Sequence, residues 1–241
     1  MYVRHTNCPR CGSRDNLGVY ADGHSWCFGC GHYIPSVETL GDRASKISRA
    51  KEIAYEDSIE PMPRDISYDL PEQPTRWLKQ YGITETEIKN NRICWSTTTS
   101  QLIFPIYGGD SGVIAWQARN FNADKALKRK YYSVGKMDEI LHIIGNHQDE
   151  TIILTEDIVS AIKVSRHMNA MPIFGAHISS NRLNRLIRRF NKLVVWLDYD
   201  KAVEARKAVL RALQYGFEAK TIHTELDPKE LSDKEIRKQL E

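Results

Sequence analysis

The carboxy-terminal part of the chain alternates short, continuous apolar runs with stretches of helical period. Runs at 151–155, 171–174 and 193–197 read as strands apolar on both faces and 219–222 as a further strand, and 158–167, 181–191, 202–215 and 229–240 read as helices. In the 181–191 helix Leu183, Leu186, Ile187 and Phe190 form the inward stripe, which turns Arg182, Arg185, Arg188 and Arg189 toward water. Doubly apolar strands alternating with helices predict a parallel sheet covered on both sides. Upstream, 77–81 and 84–88 read as two short helices parted by Gly82. Extended segments at 101–107 and 112–119 follow, with Gly108-Gly-Asp-Ser111 as a hairpin turn between them. Residues 36–74 have no clean period, few aromatics and much Ser, Glu, Asp, Lys and Pro, the composition of a linker. The expected division is therefore 1–35, a 36–74 linker, a mixed α/β lobe at 75–148 and a parallel-sheet domain at 149–241.

The first 35 residues have no apolar rhythm and carry instead Cys8-Pro-Arg-Cys11, fifteen intervening residues, and Cys27-Phe-Gly-Cys30. Two C-x2-C turns joined by a hairpin-length segment bring four thiolates onto one tetrahedral Zn2+. Gly12, Gly29 and Gly31 lie where such turns require positive φ. Two disulfides are the competing reading. With five cysteines Cys94 would be left over, and the amino terminus shows no export signal, so a reducing cytoplasm and a metal site are expected. Cys94 reads as a small buried apolar residue, and His24 and His32 are not needed as ligands. No stretch is long or apolar enough to span a bilayer, so no membrane partner is expected.

A net charge of +3 is too small to identify an anionic partner, but its distribution is uneven. Between 119 and 136 six basic residues, Arg119, Lys125, Lys128, Arg129, Lys130 and Lys136, face one acid, Asp124. Acids instead mark the carboxyl ends of the apolar strands, where open parallel sheets do their chemistry: Glu156, then Asp198 and Asp200, then Asp227. Two carboxylates two residues apart with a third from a neighbouring strand suit Mg2+ or Mn2+, which keeps water and substrate phosphate among its ligands. For Asp200 the alternative is a cap on the following helix.

A strand ending in Glu156 and, one βα unit later, a strand ending in Asp198-Tyr-Asp200-Lys-Ala202 resembles the TOPRIM domain of primases, topoisomerases and some nucleases. Two positions depart from that pattern, Asp157 and Val203, where the family has glycine. An amino-terminal four-cysteine ribbon, a linker, a mixed lobe and then TOPRIM resembles the DnaG-type primases, and within them the primase part of phage helicase-primases. Asp22-Gly-His24-Ser-Trp26-Cys27, Leu78-Lys-Gln-Tyr81-Gly-Ile-Thr84, Phe104-Pro-Ile106, Lys130-Tyr-Tyr-Ser-Val-Gly135 and Asp227-Pro-Lys-Glu-Leu231 carry the likeness.

The resemblance implies an α/β protein: a four-Cys zinc ribbon joined by a linker to the amino-terminal lobe of an RNA polymerase domain and a Rossmann-like TOPRIM sheet. It implies synthesis of short RNA primers on a single-stranded DNA template from ribonucleoside triphosphates. Glu156, Asp198 and Asp200 would be catalytic through Mg2+ or Mn2+, with Asp227 on a second metal or a bridging water. His24 would contact template. Trp26 either stacks a base or packs on the metal knuckle, and Arg119, Lys128 and Lys130 would hold phosphates and template. A binding factor with weak catalysis and a TOPRIM nuclease are the alternatives. No G-x-x-x-x-G-K-[ST] loop is present, so a separate replicative helicase and a DNA polymerase are the implied partners, in a host cytoplasm if the chain is phage-encoded.

Overall fold

The computed structural model describes residues 2–21, 23–34, 61–108, 112–121 and 130–241. The chain divides into two compact units, Met1–Ile59 and Glu60–Glu241. Most of the expected linker, the 108–111 turn and the basic residues Lys125, Lys128 and Arg129 lie partly or wholly outside the described residues.

The first unit is an antiparallel sheet of β1 (Tyr2–Thr6), β2 (Leu17–Tyr20), β3 (Ser25–Cys27) and β4 (Tyr33–Ile34), in that order. Its apolar centre is small: Cys8, Leu17 and Cys27, with Ile34 packed against them. So little apolar burial cannot offset the entropy of ordering a ribbon, which leaves the cysteines to hold it through a metal.

The second unit starts earlier than composition suggests. Asp65 accepts from Ser96 Oγ at 2.9 Å and Thr98 N–H at 2.7 Å, which pins β5 (Ile66–Ser67) to β6 (Cys94–Ser96). The first helix, α1 (Glu72–Gln80), likewise begins inside the stretch read as linker. Gly82, at φ +69°, turns the chain into α2 (Glu85–Asn90), which opens on a capping box between Thr84 and Glu87. The long hairpin is β7 (Gln101–Tyr107) and β8 (Val113–Asn120), and β9 (Tyr131–Val134) completes an antiparallel sheet ordered β5-β6-β7-β8-β9. Strands β5, β6 and β9 are two to four residues long, too short for a period to show.

The expected parallel sheet is present: β10 (Thr151–Thr155), β11 (Ala170–Pro172), β12 (Lys192–Val195) and β13 (Glu218–Thr221), ordered β11-β10-β12-β13. Helix α3 (Ile158–Val164) is buried all round. Ile158, Val159 and Ile162 pack on Leu78, Ile88, Trp95 and Phe104 of the antiparallel lobe, while Ala161 and Val164 pack on Ile153 and Trp196. One helix thus serves two cores, and Arg166, paired with Glu87 at 2.7 Å, adds a polar tie between the lobes.

Helix α4 (Ser180–Leu186) is shorter than its pattern predicts, and one arginine departs from it. Arg182 is fully buried rather than turned to water. Its guanidinium donates to the Ile140 carbonyl at 2.9 Å, to that of Ile173 at 3.1 Å and to that of Met137. Burial brings its pKa down to about 10, so it stays charged. Helix α5 (Ala202–Gln214) matches expectation, and α6 (Asp233–Leu240) starts later than 229 because Ser232 caps it. No helix among the described residues is long and apolar enough to cross a membrane.

Candidate active site and metal centre

In the ribbon, both knuckles fold alike. Gly12 N–H donates to the Cys8 carbonyl at 3.0 Å, and Gly31 N–H to that of Cys27 at 2.9 Å. Both glycines are left-handed, at φ +71° and +67°, so each C-x2-C-G turn closes without a Cβ penalty. Gly29 is not left-handed; a Cβ there would meet the Asn16 side chain at 3.0 Å. The four Sγ atoms lie within 4.8 Å of one another, Cys8 to Cys30 and Cys11 to Cys27 at 3.7 Å. That separation is far beyond a disulfide and suits four thiolates around one ion, and an all-sulfur tetrahedral donor set fits Zn2+. Cys94 is buried in β6, and burial pushes its thiol up to about 11.

The other face of the ribbon sheet is aromatic. Trp26 alternates outward between buried Ser25 and Cys27, opposite Gly18; its ring rests against the second knuckle, where a Cβ on Gly31 would lie 3.8 Å from it, and it still remains 41% exposed. His24 stacks on Tyr20 with centroids 4.3 Å apart, and Tyr33 lies 5.7 Å from His24 and 6.4 Å from Trp26. Sequence reading picked out His24 and Trp26 but missed Tyr20 and Tyr33, whose signal is strand alternation around the hairpin.

In the second unit, Leu154 of β10 pairs with Val195 of β12, and Trp196 N–H donates to the Leu154 carbonyl at 2.8 Å. Glu156 and Asp198 therefore leave neighbouring strand ends. Asp198 then opens a 3-10 turn, Tyr199–Lys201, and exposed Asp200 pairs with Lys201 at 2.9 Å instead of capping α5. Among the described residues the four cysteines are the one group of three or more ligand-type side chains gathered within 4.8 Å, so the acids are neighbours without forming a closed cage.

A residue that sequence reading passed over sits among them. Lys229 Nζ donates to Asp157 Oδ2 at 3.0 Å, Asp198 Oδ2 at 3.0 Å and Asp227 Oδ2 at 2.7 Å. Asp227 also accepts from Tyr199 N–H at 3.1 Å, holding the turn that bears Asp198 and Asp200. From below, the buried ammonium of Lys163 donates to the carbonyls of Lys229, at 2.8 Å, and Leu231. The available signal was Lys229 itself, two residues past Asp227 in a loop that follows a strand.

Glu156 Oε2 and Asp198 Oδ1 are buried with no hydrogen-bond partner. Burial raises both carboxyls, Asp198 to about 7, with Asp157 and Asp227 adding to the effect on Asp198 against the single ammonium. Two orphaned carboxylate oxygens in a site of excess negative charge fit a hard cation, Mg2+ or Mn2+. Asp157 sits at φ −121°, which any residue adopts, and caps α3 through Val159 N–H and Ser160 N–H at 2.9 and 3.0 Å. Val203 is exposed on α5 and is not at positive φ. Neither departure from glycine strains the backbone.

Arg119 lies in an aromatic cage. Its guanidinium is 4.1 Å from the Trp77 centroid and 5.3 Å from that of Tyr131, and it donates to Tyr131 Oη at 3.0 Å. Burial raises the Tyr131 phenol, and the charges acting on it are Arg119, Asp157 and Lys229, so β9 carries the cage to the edge of the acid cluster. Lys130 is exposed beside Tyr131, and Lys128 lies outside the described residues.

A four-cysteine ribbon followed by an antiparallel lobe packed on a parallel sheet is a fold this chain shares with solved primases. The Aquifex aeolicus primase (zinc-binding and RNA polymerase domains) aligns over 98% of this chain and 77% of its own, with a TM-score of 0.58 at 17% identity. The primase fragment of the bacteriophage T7 primase-helicase aligns over 100% and 98%, TM-score 0.53 at 15% identity. The DnaG catalytic domain bound to single-stranded DNA aligns over 84% and 80%, TM-score 0.55 at 13% identity. In sequence, a DNA helicase/primase of Enterobacteria phage T3 is 44% identical over 48 residues, which are 20% of this chain and 8% of that relative's length. No family model matches the chain.

Proposed function

We propose that this chain is a DNA primase, joining ribonucleotides into short RNA primers on single-stranded DNA for replication. The observation that carries the reading is the pair of orphaned buried oxygens, Glu156 Oε2 and Asp198 Oδ1, at adjacent strand ends of a primase fold. Glu156 and Asp198, with Asp200 at the rim, would hold Mg2+ or Mn2+, and the ion would polarise the α-phosphate for attack by a 3′-hydroxyl with loss of pyrophosphate. Lys229 and Asp227 fix the Asp198 carboxylate in orientation. Arg119, clamped by Trp77 and Tyr131, presents a fixed cation to triphosphate or template, and Lys130 and Lys128 extend that basic track.

In the ribbon, Cys8, Cys11, Cys27 and Cys30 hold Zn2+, and the exposed face of His24 and Trp26 with Tyr33 stacks template bases. Residues 1–35 would select template, and the lobe from 75 with the sheet from 149 would polymerise. The phage T3 relative is named a helicase/primase, which supports a replicative helicase as partner, and a DNA polymerase would take over the primer. The reading is tested with labelled ribonucleoside triphosphates on single-stranded templates of varied sequence. Wild type yields short RNA, and Asp198→Ala with Asp200→Ala lowers the yield by more than about 100-fold. Undiminished synthesis by that variant refutes the site.

A further inference from the structure

The deepest-set charge in the acid cluster belongs to the chain itself. Lys229 is 14% exposed and touches three carboxylates that are 15 to 20% exposed, contributed by the α3 cap, the β12 end and its own loop. Its backbone is fixed independently, because Lys163, 5% exposed, ties the Lys229 and Leu231 carbonyls to α3. Its position is therefore set by more than the ion pairs. The cluster is also divided: Asp198 gives Oδ2 to Lys229 and leaves Oδ1 buried and unpartnered, as is Glu156 Oε2. Three carboxylates crowded this closely require a cation, and a tethered ammonium supplies one that cannot dissociate.

We propose that Lys229 is a resident cation of the site, filling the Asp157, Asp198 Oδ2 and Asp227 side where a second divalent ion would otherwise bind. A single exchangeable ion is left for Asp198 Oδ1 and Glu156. The inference rests on reading those two acids as metal ligands, and it makes Lys229 a positioning residue that orients Asp198 and sets metal stoichiometry.

The test counts Mn2+ bound to the full zinc-loaded chain by electron paramagnetic resonance of the free ion, with melting temperatures alongside. Wild type binds one Mn2+, Glu156→Gln weakens it by more than about tenfold, and Lys229→Arg still binds one. Lys229→Met binds two, melts lower in metal-free buffer, and gains more from Mn2+ than wild type does. Two Mn2+ on wild type, or one on a folded Lys229→Met, overturns the role of Lys229 while leaving the metal site standing. No Mn2+ on wild type overturns the metal reading itself. Should Lys229→Met fail to fold, the wild-type count decides.

Discussion

Asp157 occupies a position where glycine was expected, and its replacement separates two roles. Its carboxylate accepts from Val159 N–H, Ser160 N–H and Ser160 Oγ at 2.9 to 3.0 Å, and also from Lys229. Asp157→Ala removes the cap, which costs about 1 kcal/mol, and one of three partners of a buried ammonium. Because Asp198 and Asp227 still hold Lys229, that second loss is about 1 kcal/mol rather than the several expected for an orphaned charge. Asp157→Asn keeps a good cap and loses only the charge. The alanine variant should therefore be about 2 kcal/mol less stable than wild type and the asparagine variant about 1 kcal/mol less stable. For a unit of this size each kcal/mol lowers the melting temperature by about 2–4 °C. Urea unfolding followed by tryptophan fluorescence reports mainly this unit, since Trp77, Trp95, Trp116 and Trp196 lie within it and Trp26 alone in the other. Equal losses in the two variants would refute the capping argument, and a loss above about 4 kcal/mol in either would refute the claim that two carboxylates suffice for Lys229.

Removing zinc with a chelator should unfold the first unit alone, exposing four thiols to a thiol reagent while Cys94 reacts only after the second unit unfolds; five thiols reacting at one rate would contradict this. His142 is held down to about 4 from 6.5 by burial, with Nε2 unpartnered, so the fold keeps it neutral while the unfolded chain takes up a proton. Its contribution is intact above pH 6.5 and is lost as pH falls toward about 4, by roughly 2 kcal/mol after allowance for partial exposure. His142→Leu should flatten that part of the stability profile, and an unchanged slope counts against the assignment. Arg182→Met strips donors from three carbonyls and should cost about 3 kcal/mol in denaturant unfolding, whereas a loss under about 0.5 kcal/mol would be that of a surface arginine.

What the chain reveals locally and what it hides divide along contact range. The parallel sheet is legible because β10, β11 and β12 are apolar runs buried on both faces, whereas β13 is a mostly exposed edge strand, and the pairing of β10 with β12 meets the condition under which Glu156 could join Asp198. Gly12 and Gly31 are legible because each directly follows the second cysteine of a knuckle, whereas Gly29 sits inside one and needs no special φ. Arg182 is hidden. Helical periodicity places it on the polar side, and the carbonyls that bury it come from outside its helix, two from the distant 137–140 segment and one from Ile173. Lys229 is hidden for the same reason, since two distant carboxylates, Asp157 and Asp198, and the bond from Lys163 of α3 to its carbonyl define its place alongside nearby Asp227. Strand β9 escapes because four residues within a basic stretch carry no period, yet it brings the Tyr131 hydroxyl to Arg119 of β8.

In the proposed function Glu156, Asp198 and Asp200 serve the joining of ribonucleotides on a template. The most direct measurement is the identity of the product formed from single-stranded DNA, four ribonucleoside triphosphates and Mg2+ or Mn2+. The expected product is a short, ribonuclease-sensitive strand complementary to the template and bearing a 5′-triphosphate, lost in Glu156→Gln. Cleaved template with no ribonucleotide incorporated would contradict that function and assign the same acids to a nuclease.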